Sequence, residues 1–127
     1  LNQAIVVSQE FLQKRADVAE KVLMALVESL AYTLAPANKG IVTRTMMRRF
    51  HIAHPAIAEE GDQDLLTSVE RKPLPSLEAL RNIRRLMAAH NPKAANVKIE
   101  DLIDARLIHK LDDNGYMDKV AAAYGLK

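Results

Sequence analysis

The chain of 127 residues has no cysteine. That excludes a disulfide scaffold, a thiolate zinc site and a cysteine nucleophile, while leaving the redox compartment open. Its four glycines stand apart at positions 40, 61, 115 and 125, so there is no glycine-rich phosphate loop, and neither Ser8 nor Ser76 lies in a Gly-x-Ser-x-Gly nucleophile elbow. Long apolar runs are missing as well: even Val22 to Val27 is bounded by Glu20, Lys21 and Glu28, which is too short to span a bilayer. No charged leader followed by an apolar stretch occurs, and the first residue is Leu1 rather than methionine. A processed product or a fragment is expected, with any secretion signal removed or upstream. Charge of one sign is not in excess either. Eighteen basic residues face sixteen acidic ones, giving a formal charge of +2, and both signs are interspersed, unlike the basic surplus of a nucleic-acid binder.

What is present is ordinary globular material, 49% apolar and 27% charged, long enough for one domain over residues 1–127 with its own core. Ile5, Val6 and Val7 are three consecutive β-branched residues, and Gln3 to Ser8 reads as a short buried strand. Every later apolar pattern has helical spacing, so this strand has no partner within the chain. Its backbone donors and acceptors need one, which implies a sheet contributed by polypeptide outside these residues. Self-association through the strand edge is another outlet, and the plainer alternative is that Gln3 to Ser8 forms a frayed extended arm or the start of the first helix.

Ser8 is a fitting N-cap for a short helix to about Arg15, and Asp17 for a longer one. In the second helix Val18, Val22, Leu26, Ser29, Leu30 and Leu34 follow one face, widened by Leu23, Met24 and Val27, which predicts a central helix packed on more than one side. Pro36 ends it, Lys39-Gly40 form a break, and Ile41 to Phe50 resume helical spacing with Arg44, Arg48 and Arg49 opposite. Another helix runs from Ala56 or Ile57 towards Val69, with Gly61 a point of interruption. Ser76 caps a helix bearing Leu77, Leu80, Ile83, Leu86 and Met87. His90-Asn91-Pro92 stops it, and Lys93 to Lys98 form a loop. A further helix should bury Leu102, Ile103, Leu107, Ile108 and Leu111 before Asn114-Gly115, with a last one near Met117 to Tyr124. The expected fold class is mainly α, six or seven helices plus one N-terminal strand, without internal repeats.

Few residues suggest chemistry. His51 and His54 have a ligand-like spacing, but two ligands without a third do not make a metal site, and beside Pro55 a solvated or capping role suffices. The clusters Arg44, Arg48, Arg49 and Arg81, Arg84, Arg85 read as solvated or ion-paired helix faces, with Glu59, Glu60, Asp62 and Asp64 as nearby counterparts of the first. Glu100, Asp101 and Asp104 suit the positive end of a helix dipole rather than calcium or catalysis, and Asp112 and Asp113 a solvated helix end. The five methionines are core packing rather than a cofactor box. Catalytic residues, metal ligands and cofactors are therefore all expected to be none.

The order of three signals carries a resemblance: Ile5-Val6-Val7-Ser8-Gln9-Glu10-Phe11-Leu12 at the start, Arg71-Lys72-Pro73-Leu74-Pro75-Ser76-Leu77-Glu78 opening a helix, and Asp101-Leu102-Ile103-Asp104 with Asp113-Asn114-Gly115-Tyr116 near the end. In this order the chain resembles the C-terminal part of periplasmic solute-binding proteins of ABC importers, in the group that binds nitrate, sulfonates, taurine and thiamine precursors. The resemblance runs over nearly all 127 residues but would correspond to only part of a family member. It implies a two-lobed α/β periplasmic-binding-protein type II fold in the full-length protein, located in the periplasm or otherwise outside the cytoplasmic membrane. There it would close on a small-molecule solute and present it to a membrane permease. The motifs concern packing and capping, and most ligand contacts in that family come from the N-terminal remainder of the same protein. No ligand-binding residue is therefore assigned here, no enzymatic activity is expected, and no nucleic acid is expected as partner. The catalytic motif of a precursor-biosynthesis branch of the same fold has no match. The rival reading is a stand-alone helical interaction or DNA-associated regulatory module using the Arg44 to Arg49 face.

Overall fold

A computed structural model describes residues 4–126. Among them are seven α-helices joined by short links: α1 (Gln9–Lys14), α2 (Ala16–Leu34), α3 (Lys39–Phe50), α4 (Pro55–Ser68), α5 (Leu77–Ala88), α6 (Arg106–Asp113) and α7 (Tyr116–Ala123). Short 3₁₀ turns at Pro36–Asn38, Pro92–Asn96 and Ile99–Leu102 connect them. No strand occurs among the described residues, which corrects the expectation for Gln3 to Ser8. Gln3 itself lies outside the described residues. Residues 4–8 are exposed and irregular up to Ser8, because no second strand is at hand to take their backbone hydrogen bonds.

Local chemistry accounts for most helix ends. Ser8 Oγ accepts from Phe11 N–H at 3.1 Å and Ser76 Oγ from Ala79 N–H at 3.1 Å, each satisfying one of the orphan donors of a first turn. Gly115, at φ 76°, turns the chain between α6 and α7 in the left-handed region that glycine enters without penalty. The N-cap of α2 is not the expected Asp17. Arg15 occupies the N-cap and Asp17 lies inside the first turn, where its charge still suits the helix dipole. No break occurs at Gly61; α4 is continuous, and a Cβ there would stand 3.1 Å from Met46 Cε, so the glycine permits α3 and α4 to approach. Asn91 accepts from Lys93 N–H at 3.2 Å and starts a 3₁₀ turn within the expected Lys93 to Lys98 loop.

Helix α2 is the hub, touching α1, α3, α6 and α7, while α3 packs on α4 and α5 packs on the two 3₁₀ turns that follow it. The face α2 buries is only partly the one expected, since Leu23, Met24 and Val27 of the widened face turn inward. Ala19, Val27 and Ala31 are buried, with Leu23 packed beside them and Ala35 just past the end, a row spaced by four residues that forms one ridge for packing. Val22 and Leu26, one residue and therefore about 100° away, are exposed. Around the ridge close Ile108 and Leu111 from α6 and Met117 from α7, joined by Leu74, Ala105, Tyr116 and Val120. The helix expected to start near Leu102 is split by residues 103–105, and Leu102 points outward at 65% exposure.

The hub has a testable asymmetry. Leu111 is 1% exposed, so Leu111→Ala should cost about 3 kcal/mol through lost transfer energy and a cavity. Leu102→Ala should stay within about 0.5 kcal/mol. Urea unfolding of both variants checks this, and equal costs would mean that the cluster is not the stabilising core.

Candidate interaction surfaces

Among the described residues three of the uncovered apolar surfaces stand out. The first is the segment ahead of α1, where Ile5, Val6 and Val7 are all exposed, Val6 to 88%. The second is the outward row of α2 with Val22 and Leu26. The third is the stripe of α5, on which Leu77, Leu86 and Met87 are exposed and no residue is fully buried. That stripe was expected to be core; its inner members Leu80 and Ile83 are half-buried. In total the chain exposes 9465 Å². A compact monomer of 14.1 kDa is expected to expose about 6,700 Å².

The two basic clusters divide in use. Arg81 pairs with Glu100 at 2.9 Å and Arg84 donates to the Val97 carbonyl at 3.1 Å, tying α5 to the turns after it. Glu100 is held below the usual carboxylate pKa, chiefly by the hydrogen bond from Arg81. Arg44, Arg48 and Arg49 make no ion pair among the described residues. The expected counterparts face elsewhere: Glu59 hydrogen-bonds Lys39, and the buried carboxylate of Asp62 lies 3.6 Å from the same ammonium. Glu60 and Asp64 are exposed and form no ion pair among the described residues.

On α3 the inner side is set by Val42, which is buried, and by Met46 against Gly61. The outer side carries Ile41, Arg44, Thr45 and Arg48, and these line an open hollow of about 600 Å³ with Met47 and Ile52. Ile52 reaches it because His51 adopts φ 54°, a left-handed conformation uncommon for a side chain with a Cβ, and both His51 and Ile52 donate their N–H to the Met47 carbonyl. His51 is therefore a helix terminator. His54 occupies the N-cap position of α4 without a side-chain hydrogen bond to it. Among the described residues no three His, Asp or Glu side chains gather as a metal site, and no helix is long and apolar enough to cross a membrane.

An ionic clamp joins the α4–α5 link to the C-terminal hairpin. Lys72 Nζ lies 2.6 Å from Asp112 and 3.1 Å from Asp118, and Arg71 lies 3.3 Å from Asp118. Asp112 is thus a partner rather than a merely solvated helix end, while Asp113 is exposed. The Lys72 pKa is raised, first by the hydrogen bond to Asp112, and that of Asp118 is lowered, first by the hydrogen bond from Lys72. Asp104 braces the start of α6 by accepting from Arg106 through its backbone N–H and guanidinium, at 2.6–3.2 Å. Glu100 and Asp101 belong to the preceding 3₁₀ turn instead. Sequence reasoning missed the clamp because Lys72 and Asp118 are separated by 46 positions.

Comparison with protein-family models, with curated proteins and with solved structures finds no match. Among the described residues the geometry presents uncovered apolar faces and cationic hollows, one on α3 and a smaller one lined by Arg81, Arg84 and Arg85.

Two measurements check these details. A carboxyl with a depressed folded-state pKa stabilises above its unfolded value, about 3.9, and ceases to as pH falls through the folded value. Asp118→Asn should therefore narrow the loss of Tm between pH 7 and pH 2.5, and Lys72→Met should do the same; an unchanged interval in both would remove the clamp from the acid response. Conversely, His51→Gly should raise stability by about 1 kcal/mol in urea unfolding by relieving the left-handed backbone, and a loss would show that the imidazole has a stabilising role of its own.

Proposed function

We propose that these residues are the C-terminal portion of an extracytoplasmic solute-binding protein that captures a small solute for an ABC importer. The observation that carries the reading is the surplus of exposed surface, about 2,700 Å² beyond the compact-monomer expectation. One side of a standard protein interface buries about 800 Å². A surplus several times larger fits an obligate cover, such as the rest of the same polypeptide, better than a transient partner.

In this reading residues 4–8 complete a sheet supplied by the N-terminal remainder of the protein. The outward row of α2 and the stripe of α5 lie against that remainder, as in the two-lobed type II architecture. Solute would be held by lobe closure at a cleft built mostly upstream, and the permease would receive it. The local role of these residues is then to supply a strand and a helical cover for one lobe, with no catalytic step.

A second reading rests on a specific observation, the absence of ion pairs on Arg44, Arg48 and Arg49 among the described residues. It is a stand-alone helical interaction or DNA-associated module that uses α3. The upstream reading frame and the intact mass of the mature protein separate the two. A longer precursor with a secretion signal is the expected result. A gene encoding these residues alone after its start codon would sink the first reading and leave the second.

A further inference from the structure

We infer that the outer face of α3 is a docking site for an acidic amphipathic segment of a partner protein. The hollow of about 600 Å³ between Ile41, Met47 and Ile52 is apolar and is flanked by Arg44 and Arg48. Ile41, Arg44, Thr45 and Arg48 recur at the three- and four-residue spacing that makes one continuous stripe along a helix. The stripe faces away from α4, because Val42 and Met46 take up the inner side.

Charge complementarity selects the occupant. Both arginines are exposed and without an ion pair among the described residues, although the facing helix carries Glu59 and Asp62. Those two carboxylates converge on Lys39 at the other end of α3, so the guanidiniums are left for an external anion. Guanidinium forks pair with carboxylates in bidentate geometry, and apolar anchors spaced along a helix suit a trough such as the one between them. Nucleic acid fits less well. The floor between the arginines is aliphatic, whereas a phosphate backbone asks for cations along its path and unpaired bases ask for aromatic platforms.

The left-handed His51 gives the hollow its end wall. By turning the chain at that point it brings Ile52 back to the trough, and strained backbone of this kind is retained where the surrounding structure has a use for it. The inference does not depend on whether the chain belongs to a solute-binding protein.

The test is a fluorescence-anisotropy titration of the 127-residue chain with a labelled helical peptide carrying leucines at i, i+4 and i+7 between flanking glutamates. Binding in the micromolar range is expected. It should weaken roughly tenfold when the leucines become serine, and disappear when the glutamates become lysine. Arg44→Glu with Arg48→Glu should abolish it with unchanged circular dichroism, and Ile41→Ser should weaken it. The peptide substitutions keep the test decisive even if a protein variant misfolds. Equal binding of acidic and basic peptides, or no binding at all, overturns the proposal. So does duplex DNA held through the same arginines in place of the peptide, or a self-association dispersed by the arginine reversals, since a second copy would then fill the trough.

Discussion

The contact between α2 and the α6–α7 hairpin, centred on Leu111, is the constraint on which the other elements depend. Helix α2 contains no glycine or proline and forms readily, but an amphipathic helix of this size draws most of its stability from the face it buries. That face is closed by Ile108, Leu111 and Met117. Tyr116 adds a hydroxyl directed at the Met24 carbonyl at 3.4 Å, and Tyr124 one at Glu28 at 3.1 Å. Tyr32 and Tyr124 meet edge to face, with centroids 5.8 Å apart. Elements away from the hub attach more lightly: the α4–α5 link is fastened by Leu74 on the cluster and by Lys72 between two carboxylates.

The composition of that contact explains the surface. The buried row of α2 is rich in alanine, and alanine also fills Ala58, Ala94 and Ala121, which lets helices come close but removes little apolar area from water. The larger side chains of the adjacent row and of α5 remain outside. Burial of a side chain such as leucine contributes about 1.5–3 kcal/mol, so each uncovered large residue is stabilisation that the chain does not collect alone. The cationic hollow on α3 differs in kind, since it pairs apolar floor with charge and so favours a partner of defined polarity over simple burial.

Features governed by neighbours in sequence were legible before the structure. Ser8 and Ser76 cap helices because the acceptor and donor are three residues apart, and Asn114-Gly115 ends α6 because the turn needs positive φ. Features set by distant partners were not. Val22 and Leu26 belong to the bulkier row of α2, yet Leu23 and Val27 are the side chains that pack with α6 and α7, and Ala19 and Ala31 are buried on the same ridge. Gly61 lacks the expected break because the close approach of Met46, not local propensity, fixes the backbone there. Likewise Glu59 and Asp62 of α4 serve Lys39 rather than the arginines, a choice made by helix register that spacing alone does not reveal. The uncovered faces have no signature in spacing at all, because amphipathic stripes look alike whether or not something covers them.

The closing contact also sets an order of assembly. The hydrogen bonds from the C-terminal helices to α2 link positions 90 to 96 residues apart. During synthesis at about 5–20 residues per second, α2 therefore leaves the ribosome several seconds before its packing partners exist. Throughout that interval Leu23, Met24 and Val27, which pack on the α6–α7 hairpin in the native hub, lack their partners. The native hub is thus a late event: a nascent chain halted before residue 106 has α1 and α3 to pack on α2 but lacks the hairpin that closes its core cluster.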